Sequence, residues 1–244
     1  MKLEGQTALV TGGAVRIGRA IVEALAERGC RVVVHYHRSG AAALRLVAEL
    51  RRQGREAWAV GGPLGTERAA EALLARAWRV AGRVDTLVNN AAGFTKEPLR
   101  DCTEKALLGM LRPNLLAPVL LTRAFAARTR RGQVVNLLDR RIAVLEPGCV
   151  PYLLSKKALA AFTGIAALEL APGIRVNAVA PGPVLPPPGR GGRYRKDRAG
   201  RVPLGRRVSP EDVAAAVVAL LELENVTGQV LFVDGGQSLL GAAV

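Results

Sequence analysis

The sequence predicts an α/β fold built as a doubly wound parallel sheet of about seven strands with helices on both faces. Three observations carry this. Short apolar runs rich in β-branched residues alternate with longer Ala/Leu-rich stretches of helical period, which is the mark of repeated βαβ units. The runs are too apolar to face water on one side, as parallel strands covered by helices require. And 244 residues, half of them apolar, suffice for one sizeable core. A single domain over residues 1–244 is expected, with residues 181–207 as a substrate loop within it.

The elements follow in order. TALVT (7–11) is the first strand, and TGGAVRIG (11–18) is the turn into the helix RAIVEALAERG. RVVVHY (31–36), AWAV (57–60) and TLVNN (86–90) are the next three strands. Long apolar helices are expected around 105–128 and 152–170, flanking the strand QVVNLL (133–138). IRVNAVA (174–180) and QVLFVD (229–234) complete the sheet. The long stretch between the last two strands, PGPVLPPPGRGGRYRKDRAGRVPLGRR (181–207), has no pattern of either period, and loops of that length inside a domain are usually functional or disordered.

The net charge of +15 is concentrated. Between Gly189 and Arg207 stand Arg190, Arg193, Arg195, Lys196, Arg198, Arg201, Arg206 and Arg207 against Asp197 alone, eight minus one, or seven of the fifteen. Either the excess reflects a general arginine bias or the loop meets an anionic group. Nucleic acid is not the expected partner, because Tyr194 is the one aromatic residue there for base stacking. Three cysteines (Cys30, Cys102, Cys149), widely spaced and unaccompanied by histidines at metal-ligand spacing, read as reduced, buried thiols, and no metal is expected. The absence of a long apolar run and of a leader before the first strand predicts a cytoplasmic protein with no membrane partner.

The glycine-rich turn stands between a strand and a helix, where glycines let the backbone approach a pyrophosphate and the helix N-terminus attracts it, as in Rossmann-type folds. Gly12, Ile17 and Gly18 are its candidate contacts. A dinucleotide fold that prefers NAD places an acid after the second strand. Here the chain reads His35, Tyr36, His37, Arg38, Ser39, with no acid. Arg38, Ser39 and His37, with Arg16, suit the 2′-phosphate of NADP, which a carboxylate would repel, and His35 and Tyr36 are further candidate cofactor contacts.

Tyr152 and Lys156 are four apart on a helical pattern and so share a face. An ammonium beside a phenol is expected to lower the phenol's pKa toward neutrality. Asn114 is followed four residues later by Pro118, which has no N–H for the carbonyl of residue 114, so the helix should kink and free that acceptor.

TGGAVRIG, NNA at 89–91, Asn114, the Tyr152/Lys156 pair, PG at 181–182 and VDGG at 233–236 together resemble the short-chain dehydrogenase/reductases over nearly the whole chain. Within that family the chain looks like the pteridine reductases, with Arg16 in place of the usual central glycine, HYHRS after the second strand, Phe94 following NNAAG, and Asp139 where most members carry serine. The resemblance implies that Lys156 holds the nicotinamide ribose and that Asn114 anchors a water leading to it. It also places Leu64, Asn90, Ala91, Pro181 and Gly182 at the cofactor, and implies a homotetramer. Two departures stand out. Pro63 and Leu64 follow the third strand where the family has an aspartate near the adenine, and Ala92 replaces a serine common in pteridine reductases.

Asp139 directs the choice of substrate. A serine there donates to a carbonyl oxygen that turns negative as hydride arrives, whereas an ionised aspartate only accepts and would repel that charge. A pterin offers N–H and amino donors, and its C=N bond needs a proton on nitrogen. Asp139 is expected to bind those donors or relay protons with Tyr152, with Phe94 stacking on the ring and Arg16 at its edge. The function expected is NADPH-dependent reduction of a pterin C=N bond. The alternatives are a 3-oxoacyl-carrier-protein reductase or other carbonyl-reducing short-chain dehydrogenase, and a non-catalytic regulator that binds NADP or nucleic acid.

Overall fold

The computed structural model describes residues 2–185 and 202–240. The strands are β1 (Thr7–Val10), β2 (Arg31–Tyr36), β3 (Ala57–Gly61), β4 (Thr86–Asn89), β5 (Gly132–Leu137), β6 (Ile174–Pro181) and β7 (Val230–Val233). They form one seven-stranded sheet in the order β3-β2-β1-β4-β5-β6-β7, and every pairing is parallel. The chain winds outward from β1 to β3, then returns to place β4 on the other side of β1. The order reverses between β1 and β4, and open α/β sheets of this kind place the ligand crevice outside the carboxyl ends of the strands at such a reversal.

Alternate strand residues supply the two faces, as the two-residue period of a strand dictates. Ala8 and Val10 of β1 and Val32 and Val34 of β2 pack under α1 (Arg16–Glu27) and α2 (Gly40–Arg52). Leu9 and Val33 point the other way, against α3 (Glu67–Ala81) and the later helices α5 (Ala117–Ala126) and α6 (Val150–Glu169). Between α3 and α5 lies α4 (Glu104–Leu111). The last helix, α7 (Pro210–Glu222), packs on α1 and starts in a capping box, Ser209 and Asp212 bonding each other's backbone N–H.

All seven expected strands are present. The outermost departs in burial: Leu231 and Phe232 of β7 are 40 % and 37 % exposed. An apolar run signals a strand but does not say what covers it, and β7 has a neighbour on one side only. Of the three thiols, Cys30 and Cys149 are buried and Cys102 is half-buried. No helix among the described residues is long and apolar enough to cross a membrane.

Candidate active site

The first turn after β1 is built to bring backbone close to whatever lies above it. Gly12 has φ +62°, and a Cβ on it would meet Ala91 Cα at 3.1 Å and Asn90 Nδ2 at 3.2 Å. A Cβ on Gly18 would lie 2.1 Å from the Gly12 carbonyl oxygen, so only glycine lets α1 start so near the turn. Arg16 also has positive φ, +58°, a left-handed conformation that a side chain disfavours. Its side chain is exposed. Strain of this kind at a ligand crevice is characteristic of residues held for function.

Two side chains lock the turn from beneath. The Thr11 hydroxyl donates to the Val88 carbonyl and accepts from the N–H groups of Asn90 and Ala91. Asn90 Nδ2 donates back to the carbonyls of Thr11 and Gly12. His35 lies within the sheet: its Nδ1 accepts from Gly12 N–H at 3.2 Å, and its Nε2 is 3.0 Å from the Gly62 carbonyl. That pattern needs the neutral Nε2–H tautomer. Burial, chiefly, pushes its pKa down to about 4. The sequence placed His35 among the cofactor contacts. The structure makes it a buried prop, because an inward β2 position gives its ring two protein partners.

His37 and Arg38 are exposed at the end of β2, Ser39 is the residue before α2, and the Tyr36 ring packs against Gly61 and Gly40. Half-buried Leu64 packs on the core beside α3. Pro181 ends β6, and Gly182 N–H bonds the Val233 carbonyl. These backbone and cationic groups suit a dinucleotide phosphate: the glycine turn leads into the N-terminus of α1 and no carboxylate follows β2. The expected substrate loop falls largely on residues 186–201, with Arg190, Arg193, Arg195, Lys196, Arg198 and Arg201, and these lie outside the described residues.

On the other side of the crevice, α4 and α5 are joined by a π-helical segment, Arg112–Leu116, with Asn114 at its centre. The bulge falls where Pro118 has no N–H to offer residue 114, which realises the expected interruption. Asn114 is fully buried and clamps two elements: Oδ1 accepts from Gly93 N–H at 2.8 Å, while Nδ2 donates to Gly93 O and to Ser155 Oγ, both at 3.0 Å. Its side chain thereby fixes the segment that carries Phe94 against α6.

Tyr152 and Lys156 lie on α6, both buried. Lys156 Nζ donates to the Leu137 carbonyl at 2.6 Å. Burial lowers its pKa to about 8, with Asp139 acting in the opposite direction. The Tyr152 hydroxyl donates to Asp139 Oδ2 at 2.8 Å. Its pKa goes up, not down as expected from Lys156: burial acts first, and the neighbouring Asp139 carboxylate adds to it. The expectation weighed the lysine alone, whereas the phenol's hydrogen-bond partner is an anion.

Asp139 follows β5 and caps a 3-10 turn, Arg140–Ile142. Its Oδ1 accepts from Arg141 N–H at 2.9 Å, and Arg141 Nη1 lies 3.2 Å from Oδ2. The Arg141 guanidinium also reaches Glu146 Oε2 through Nε at 2.9 Å and stands 5.7 Å from the centre of the Phe94 ring. Phe94 is 44 % exposed and meets Tyr152 edge-on, with ring centres 4.8 Å apart. Asp139, Tyr152 and Phe94 thus come together as the sequence predicts, with Lys156 beneath. Two contributors escaped that reading, Thr11 and Ser155, whose hydroxyls bridge elements distant in sequence, while the inward turn of Arg141 onto Asp139 is a possibility the sequence leaves open and the fold shows.

A family profile described as enoyl-(acyl carrier protein) reductase matches residues 13–238. Pteridine reductase 1 of Leishmania tarentolae is 34 % identical over 280 residues, covering 96 % of this chain and 97 % of the relative. An uncharacterised oxidoreductase of Methylorubrum extorquens is 36 % identical over 245 residues, covering 96 % and 98 %. The crystal structure of FolM alternative dihydrofolate reductase 1 from Brucella canis, complexed with NADP, superposes with a TM-score of 0.93 at 33 % identity, covering 98 % of this chain and 96 % of that one. With the parallel sheet, the glycine turn and the Tyr152/Lys156 pair already in place, these similarities establish that the chain belongs to the short-chain dehydrogenase/reductase family of oxidoreductases.

Proposed function

We propose that the chain is an NADP(H)-dependent reductase that delivers hydride to a C=N bond of a pterin or dihydropterin. The observation that carries this reading is the 2.8 Å bond from Tyr152 to Asp139, a carboxylate where a carbonyl reductase needs a donor. The likeness to a pteridine reductase and to a dihydrofolate reductase complexed with NADP supports it.

Bound NADPH supplies the hydride. Gly12, Ile17, Gly18, Asn90, Ala91, Pro181 and Gly182 would line its path, and Arg16, His37, Arg38 and Ser39 would meet its 2′-phosphate. Lys156, fixed by the Leu137 carbonyl, would hold the ribose edge. Hydride arriving at carbon leaves the adjacent nitrogen short of a proton. Tyr152, kept as a phenol by burial and by Asp139, holds one at its oxygen. Asp139 accepts from the substrate's N–H groups, and its negative charge disfavours an incipient alkoxide. Phe94 and Arg16 flank the flat ring.

Steady-state assays with NADPH and NADH against dihydropterins, acetoacetyl thioesters and small ketones test this. Turnover of dihydropterin with NADPH is expected. Turnover of the thioester alone would reject the assignment.

A further inference from the structure

Arg141 is no part of the Tyr152/Lys156 pair, yet it is the most connected cation at the site. Its backbone N–H and Nη1 both go to Asp139, its Nε goes to Glu146, and its guanidinium packs beside Phe94. Arg140 Nη2 reaches the same Glu146 oxygen at 3.2 Å, so Glu146 tethers both arginines. The side chains of Asp139 and Arg141 are 16 % and 22 % exposed, shielded enough for their pairing to matter.

We propose that Arg141 is a positioning residue: anchored by Glu146, it fixes Asp139 as a hydrogen-bond acceptor against Tyr152 and so restricts the site to substrate edges that present N–H donors. This rests on the assignment of the site to pterin reduction.

A carboxylate has about four lone-pair directions and, when ionised, no donor. Three are taken by this chain: Arg141 N–H on Oδ1, and Arg141 Nη1 and the Tyr152 hydroxyl on Oδ2. The one left, on Oδ1, can meet an N–H of a ligand. A guanidinium only donates, so the Arg141 contacts use the carboxylate as an acceptor, and the direction left open offers a ligand an acceptor. Nε and Nη1 are separate prongs of one rigid fork, which lets Arg141 touch Glu146 and Asp139 together. A lysine presents its donors from a single nitrogen and lacks the planar fork that spans the two carboxylates. Arg141 also has its net charge secured, since Asp139 and Glu146 outweigh the penalty of its burial and raise its pKa.

The test uses the full chain as wild type, R141Q, R141A, R141K, D139N and R141Q/D139N. With NADPH and dihydropterin, R141Q is expected to lose about thirtyfold or more in kcat while the KM for NADPH moves less than about threefold. Guanidinium ion added to R141A should restore part of the lost kcat, and R141K should restore little. In urea, the loss in the unfolding constant caused by R141Q should shrink by about threefold or more in the D139N background, since neighbours that interact are not additive. A tie of Arg141 to Glu146 alone, with no hold on Asp139, would leave kcat unchanged at saturation, give additive losses in urea and show no rescue, and that result overturns the proposal. If R141Q does not fold, R141K carries the same comparisons. If the wild type turns over no pterin, the substrate assignment fails separately. The urea cycle then still decides, with non-additivity upholding the hold of Arg141 on Asp139 and additivity rejecting it.

Discussion

The N–H of Gly12 donates to Nδ1 of His35 across the first two strands, at 3.2 Å, and the same ring reaches the Gly62 carbonyl at 3.0 Å from its other nitrogen. One buried imidazole thus ties the glycine turn to the end of β3. Protonation would place a hydrogen on Nδ1 and turn an acceptor into a donor facing a donor.

Burial first, then the charges of His37 and Arg76, pull the His35 pKa from 6.5 to about 4 against the Gly62 bond. The fold prefers the neutral ring, so this stabilisation is fully present above pH 6.5 and is lost as pH falls toward 4. The amount is on the order of 2–3 kcal/mol. Urea unfolding of wild type and H35N across that window checks it: the wild type should lose stability steeply and H35N should not. An equal decline in both would show that His35 is not the titrating group.

Arg16 trades strain for chemistry. The left-handed backbone at φ +58° costs about 1–2 kcal/mol in a residue with a side chain. R16G should therefore unfold no more easily than wild type, and up to about 1 kcal/mol less easily once the extra freedom of the unfolded glycine is counted. Binding of NADPH and of pterin should weaken by about tenfold or more with the loss of a cation. Calorimetric titration with each ligand, beside a denaturation curve, reads both effects. Unchanged affinities would remove Arg16 from the site.

The buried Lys156 ammonium, with its pKa lowered to about 8, sets an alkaline limit. Its charge is present at neutral pH and is lost as pH rises through 8, so kcat should fall on that side of the profile. K156R keeps a cation through that range, and any activity it retains should lack the decline near pH 8. A K156R profile with the same alkaline limb would assign the limb to another group.

Exposed Arg38, at the end of β2, should decide between the two dinucleotides. R38D puts a carboxylate where a 2′-phosphate would lie, so NADPH affinity should drop by about tenfold or more and NADH should gain. Fluorescence titration with both measures the ratio. A ratio unmoved by the substitution would place the 2′-phosphate elsewhere.

The sheet was legible because parallel strands must be apolar on both faces, and runs such as RVVVHY and IRVNAVA have no other good explanation. Their order was legible only as a class, and the exposure of Leu231 and Phe232 on β7 was not, since apolarity does not name a neighbour. At the site, the spacing of Tyr152 and Lys156 and the Asn114 to Pro118 interval gave geometry directly, because helix periodicity fixes both. The direction of the Tyr152 shift came out reversed: it depends on which charge touches the phenol, and the touching residue, Asp139, lies on another element. His35 and Arg141 show the same limit. A histidine in a strand and an arginine in a turn each have several places to point, and packing chooses among them.

The Asp139 carboxylate facing Tyr152 is expected to select nitrogen heterocycles over ketones. The direct measurement is kcat/KM for a dihydropterin and for a reactive ketone, with NADPH, in wild type and D139S. Pterin reduction should fall by about a hundredfold or more, and ketone reduction should appear or rise as a hydroxyl replaces the anion. A D139S enzyme that reduces dihydropterin as well as the wild type, with no gain on the ketone, would contradict it.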